Sequence, residues 1–111
     1  MSGLNQVGLF LALAKEYVQE SGVILVPREQ NRDYMASRGM SMRDLESVIL
    51  ALEESDCLSG PEDDRDERRK DWTIAIFSPE YEGEKLYLKI SVRTDARRCK
   101  CLSVKLYVDR T

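Results

Sequence analysis

The chain contains no histidine. That removes the usual general base of a serine or cysteine triad, and the usual acid and base of a simple ribonuclease. Cysteine is scarce as well. Its three copies are an odd number and do not close a disulfide framework, which agrees with a reducing compartment. Cys99-Lys100-Cys101 has the outline of a metal half-site. With C-x-C spacing, no second pair and no imidazole, it reads instead as small side chains in a strand. No apolar run approaches the roughly 18 to 20 residues of a membrane span. The apolar stretch near the start lacks the basic flank and small-residue cleavage site of a secretory leader. These absences lead to the expectation of a cytoplasmic protein without membrane segments or cofactors.

What is present suits a single domain over residues 1–111, because 111 residues with 42% apolar content can bury a modest core without staples. The formal net charge of -3 conceals a division. From Lys85 onward eight basic residues face two acidic ones, a balance of +6, whereas residues 1–84 carry nine basic and eighteen acidic, a balance of -9. The end of the chain is therefore the part able to attract a polyanion. The plain alternative is a solvated edge hairpin guarded by its charge.

Phe10, Leu13, Ala14, Tyr17 and Val18, with Val7 and Leu11 beside them, recur at helical spacing and predict an amphipathic helix over about 5–21, stopped by Gly22. Val23 to Val26 is either a short strand or a tucked connection. Pro27 suits the first turn of a helix over 28–38 that stops at Gly39. Ser41-Met42-Arg43-Asp44 resembles a capping box, and Leu45, Val48, Ile49 and Leu52 follow at i, i+3, i+4 and i+7, which predicts a helix over 42–55. That helix ends in Glu53-Glu54-Ser55-Asp56, acidic where the helix dipole favours cations. Ser59 to Asp71 has no apolar residue and reads as a mobile charged loop. Trp72 to Phe77 is apolar on both sides, as a central strand is. There is no internal repeat.

Two further strands are expected at 85–93 and 100–108. Leu86 to Arg93 alternates apolar and polar residues and sets Tyr87, Lys89, Ser91 and Arg93 on one face. Cys101 to Val108 alternates likewise, with Ser103, Lys105 and Tyr107 opposite Leu102, Val104, Leu106 and Val108. Polar residues must meet polar ones across the pair, so the paired numbers have an even sum. Two registers fit. One sets Tyr87 opposite Lys105 and Lys89 opposite Ser103; the other sets Lys89 opposite Lys105 and Tyr87 opposite Tyr107. Helices first and an antiparallel three-stranded meander second indicate an α+β domain with the N-terminal helices packed on one face of the sheet.

The ordered set of segments Gly39 to Leu58 (GMSMRDLESVILALEESDCL), Leu86 to Val92 (LYLKISV) and Leu102-Ser103-Val104-Lys105 resembles the MqsR toxins, the motility quorum-sensing regulator family of the RelE-like superfamily. The resemblance covers about residues 14–107. It implies a RelE-like fold and a metal-independent mRNA endoribonuclease, an mRNA interferase. Such a toxin belongs to a type II toxin-antitoxin system and is neutralised by a cognate antitoxin, expected to be a helix-turn-helix protein. The family uses a tyrosine of the "YLKI" strand and a lysine of the last strand, matching Tyr87 and Lys105. In two places the chain departs from the pattern: Ser59 stands near an expected loop lysine and Ile74 near an expected glutamine, and Arg68, Arg69 or Lys70 are the residues available to replace that lysine.

RNA is cut when its own 2′-hydroxyl attacks the adjacent phosphate, so the protein supplies a base, stabilises the phosphorane and protonates the leaving oxygen. The expected roles are Lys105 or Lys89 as base or phosphate donor, Arg93 as bidentate phosphate clamp, and Tyr87 as proton donor or stacking ring. Glu53, Glu54 and Asp56 could form a carboxylate pair at the site, but a solvated helix end is the favoured reading of them. The alternative expectations are a catalytically impaired module that binds RNA or protein, and a subunit that lends an edge strand to another sheet.

Overall fold

The computed structural model describes residues 3–108. Asp109 and Arg110, both included in the charge balance above, lie outside the described residues. In chain order the elements are α1 (Gly3–Ser21), β1 (Val23–Leu25), α2 (Glu29–Arg38), α3 (Met42–Leu50), β2 (Cys57–Asp63), β3 (Thr73–Phe77), β4 (Glu80–Tyr81), β5 (Glu84–Arg93) and β6 (Arg98–Leu106). The strands form one sheet in the order β1-β6-β5-β3-β2, with β4 paired to β5 beside it. The molecule is an α+β domain with helices first and most strands last, as the order of patterns indicated. Among the described residues no helix is long and apolar enough to cross a membrane.

Helix α1 lies against β5, β6 and β2, and α3 packs on α1. Val7, Phe10, Leu11, Ala14, Tyr17 and Val18 from α1 join Leu45, Val48, Ile49 and Leu52 in a single cluster. The sheet contributes Ala75, Phe77, Leu86, Leu88, Ile90, Val92, Cys99, Cys101 and Val104. Phe10 stacks on Phe77 with ring centroids 6.0 Å apart. Each buried Leu or Phe contributes about 1.5–3 kcal/mol, so this single face supplies most of the apolar driving force.

The sheet is wider than the expected three strands. Val23–Leu25 is a strand, parallel to β6, with Val23 opposite Cys99. Gly22 makes the sharp exit from α1 with φ 76°, and a Cβ there would meet Glu46 Oε2 at 2.8 Å. The Val23 amide donates to that same carboxylate oxygen. On the other side Cys57–Asp63 is an edge strand antiparallel to β3, so the expected loop of 59–71 is strand as far as Asp63. The sequence hides this strand because it buries no apolar face. Its hydrogen bonds are backbone ones, and its register shifts twice. Gly60, at φ 85°, brings its Cα so close to β3 that a Cβ would sit 2.7 Å from the Ile74 carbonyl oxygen.

Helix α3 begins with the capping box: Asp44 N donates to Ser41 Oγ, and Ser41 N donates to Asp44 Oδ2. It ends at Leu50, short of the expected residue 55. Glu53 N donates to Asp56 Oδ2, and Glu54–Asp56 forms a separate 3-10 turn. The acidic run, unfavourable at the C-terminus of α3, caps the start of that turn.

The β5–β6 pair takes the first of the two registers up to Lys89, with Tyr87 opposite Lys105 and Lys89 opposite Ser103. It then shifts by one: Ile90 faces Cys101, Ser91 faces Lys100 and Val92 faces Cys99. Beyond this bulge the paired numbers have an odd sum, contrary to the even-sum rule expected for the whole hairpin. One extra residue in β6 swaps the faces. Cys99 and Cys101 turn into the core, and Lys100 turns out beside Ser91.

Asn31 of α2, fully buried, holds the bulge. Its Nδ2 donates to the carbonyls of Leu102 (3.1 Å) and Val26 (3.0 Å), and its Oδ1 accepts from Val104 N at 3.0 Å. The side chain thus replaces β1 where that strand ends. Asn31→Ala would leave three backbone groups short of a partner, at a cost on the order of 3 kcal/mol. A large drop in the urea midpoint is expected; a change below about 0.5 kcal/mol contradicts the role. Burial pushes the Cys99 and Cys101 thiols up to about 12. A disulfide reagent at about pH 8 should therefore label no more than Cys57 in the native protein and all three cysteines after unfolding.

A candidate nucleic-acid interface on the open sheet face

The alternation of β5 and the bulge of β6 place Tyr87, Lys89, Ser91, Arg93, Lys100, Ser103 and Lys105 on the face turned away from α1 and α3. Tyr87 and Lys105 are directly opposite, and Lys105 Nζ stands 4.9 Å from the centre of the Tyr87 ring. Lys89 is one rung further along, across from Ser103. Ser103 accepts a hydrogen bond from Arg28 Nη1 at 3.3 Å, which brings a cation from the start of α2 to the same rung. The three residues expected to act together therefore share one patch. The carboxylates of Glu53 and Asp56 are instead tied into the turn after α3.

The arginines are differently placed. Arg93 lies on the same face but three rungs from Tyr87, about 20 Å of strand. Its Nε donates to Asp95 Oδ1 at 2.6 Å, and Asp71 is 3.6 Å away. This pairing raises the guanidinium pKa and lowers that of Asp95. Arg68 and Arg69 sit in a 3-10 turn between β2 and β3. Arg68 pairs with Asp66, while Arg69 reaches Asp66 and, without an aligned hydrogen bond, Asp64 at 3.1 Å. Lys70 is exposed at the end of that turn. The loop cations thus belong to the Arg93 end of the sheet, away from the Tyr87–Lys105 pair.

Across β5 the face continues onto β3 with half-buried Ile74 and Ile76, opposite Ser91 and Lys89. Next comes β2, with Ser59 opposite Ile76 and Glu62 opposite Ile74. Ser59 and Ile74, the two departures from the family pattern, therefore lie on this same face. The lysines of this face lie in a band along β5 and β6, bordered toward β3 and β2 by apolar side chains and then by acidic ones.

Two lysines in this band were counted in the sequence only as charge. Lys85 Nζ lies 4.7 Å from the Tyr107 ring centre, and Lys100 Nζ lies 4.0 Å from that of Trp72. The Lys-x-Tyr-x-Lys spacing of residues 85–89 and Lys-x-Tyr of 105–107 carried the first signal, given the correct register. Nothing in the sequence marked Lys100, which the unbroken alternation assigns to the core side.

Concave clefts lie elsewhere. One of about 420 Å³ lies between α3 and β4, lined by Asp44, Asp56, Glu80 and Tyr81, a lining of the wrong sign for phosphate. One of about 330 Å³ lies between α1 and β2, beside Leu9, Leu13 and Pro61. The cationic face is an open surface, suited to a polymer more than to an enclosed small molecule. Among the described residues no set of three or more Cys, Asp or Glu side chains is gathered to hold a metal ion. Comparisons with protein-family models, curated proteins and solved structures give no match to this chain.

Hydrogen bonds from Arg68 hold the Asp66 carboxyl at about 2, below its ordinary 3.8. With the folded value depressed, its stabilisation is complete above about pH 4 and is lost as pH falls toward 2. Asp66→Asn should therefore show a shallower decline of the urea midpoint between pH 4 and pH 2 than the parent protein. An identical decline would remove the carboxylate from the acid response.

Proposed function

We propose that this chain is an endoribonuclease of MqsR-like, RelE-like type that cuts mRNA without metal, the toxin of a type II toxin-antitoxin pair. The observation that carries the reading is the cross-strand contact of Tyr87 with Lys105, with Lys89 one rung away, on an open cationic sheet face. In the proposed reaction the 2′-oxygen forms a bond to phosphorus while the bond to the 5′-oxygen breaks. Lys105 or Lys89 takes the 2′-hydroxyl proton or donates to the phosphate oxygens, and the Tyr87 hydroxyl protonates the departing 5′-oxygen. The products are a 2′,3′-cyclic phosphate and a 5′-hydroxyl. Where Lys89 is the base and Lys105 the donor, the Lys105 ammonium over the Tyr87 ring brings a cation beside the phenol, so charge building on the phosphorane is met on the same rung. The site acts in the cytoplasm, and its partner is an antitoxin whose binding covers this face.

A second reading, a module that binds RNA or an acidic protein segment without cutting, draws on Ser59 and Ile74. Both stand on this face where the family pattern has a lysine and a glutamine. Incubating purified protein with single-stranded RNA separates the two. Cleavage with cyclic-phosphate ends is expected, and Tyr87→Phe with Lys105→Ala should slow it roughly 10- to 1000-fold. Unchanged cleavage by the double variant would sink the assignment, and salt-sensitive binding with no products would leave only the second reading.

A further inference from the structure

We propose that Lys85, Lys105, Lys89 and Lys100 form a four-rung ladder that binds consecutive phosphates of single-stranded RNA laid along the β5–β6 hairpin. This rests on the RNA reading above and extends the site beyond the residues assigned to cleavage. Leu86 is opposite Leu106 and the Tyr107 amide donates to the Lys85 carbonyl, so Lys85 and Tyr107 make the rung before Tyr87 and Lys105. Lys89 with Ser103 and Ser91 with Lys100 are the next two rungs. Each rung thus carries one lysine: on β5, then β6, then β5, then β6. Rungs on one face are spaced by two residues of strand, about 6.7 Å, comparable with the distance between neighbouring phosphates in an extended single strand.

Three of the four ammonium groups are seated on aromatic faces. Lys85 is over Tyr107 (4.7 Å), Lys105 over Tyr87 (4.9 Å) and Lys100 over Trp72 (4.0 Å). A cation held above a ring loses less rotamer freedom when it meets a phosphate. Trp72 and Tyr107 are therefore positioning residues for the ladder. Among the described residues none of the four ammonium groups is ion-paired, whereas Arg38, Arg68, Arg69, Arg93 and Arg97 all are. The direction follows from the borders. A strand crossing toward β2 would leave the lysines for Ile74 and then Glu62, whereas one following the hairpin meets a lysine at every rung.

Single-stranded RNA fits better than the other polyanions. Duplex phosphates wind about an axis and leave a straight row. An acidic peptide gains most of its affinity from main-chain pairing at a sheet edge, and this ladder lies on a face.

The test is anisotropy of a labelled, uncleavable 2′-O-methyl single strand at a series of salt concentrations. Four contacts predict a slope of log K against log salt of about -2.8, at roughly -0.7 per phosphate. Lys85→Gln and Lys100→Gln should each shrink that slope by about 0.7. Arg97→Gln, which alters a cation paired with Glu16 and Glu20 of α1, should leave it unchanged. Tyr107→Leu keeps every charge and should weaken binding about two- to fivefold with the slope intact. RNA binding whose slope ignores Lys85→Gln and Lys100→Gln overturns the ladder and leaves the proposed function standing. Absence of RNA binding by the folded parent protein overturns both. Equal or tighter binding of duplex RNA or of poly-glutamate also overturns the ladder.

Discussion

The parity of one strand governs this molecule. Antiparallel pairing allows a residue to face either the core or the solvent, and β6 changes that choice midway, at the bulge between its pairings with Lys89 and Ile90. Without the extra residue, Cys99 and Cys101 would point outward and Lys100 would point at α1. A bulge leaves backbone groups unpaired, and here the strand bordering β6 is only three residues long. Asn31 completes the ladder, its amide acting as a piece of strand supplied by a helix. The position of α2, the burial of the cysteines and the composition of the open face all follow from that combination.

Charge is arranged by the same economy. Several arginines are paired with carboxylates, as Arg93 is with Asp95 and Arg97 with Glu16 and Glu20. Three of the four hairpin lysines, Lys85, Lys100 and Lys105, sit over aromatic rings instead. An ion pair neutralises a cation for an incoming anion, whereas a ring positions it and leaves its charge available. The acidic net charge is therefore compatible with a polyanion surface, because the carboxylates flank the band of lysines.

The two departures at Ser59 and Ile74 gain meaning from the sheet. In the chain they are distant from each other and from Tyr87, yet β2 and β3 bring both to the face that bears it. Half-buried Ile74 and Ile76 form an apolar strip beside the lysines. Such a strip offers apolar contact but no hydrogen bond, so polar recognition at this face rests on the side chains of the hairpin.

The local patterns were sufficient for the helices, for β3 and β5, and for the Tyr87–Lys105 register as one of two alternatives. Periodicity and capping depend on neighbours in the chain, and the stripe of α1 and the Ser41–Asp44 box are complete within a few residues. The α+β order followed from the same signals. Strand β2 was not legible because an edge strand held by backbone bonds needs no apolar residues, and the end of α3 was overextended because the acidic run caps a turn of its own. The bulge, the role of Asn31 and the outward turn of Lys100 belong to the tertiary structure alone. A side chain 71 to 73 residues away supplies the hydrogen bonds that allow the odd register, and no short window along the sequence contains both partners.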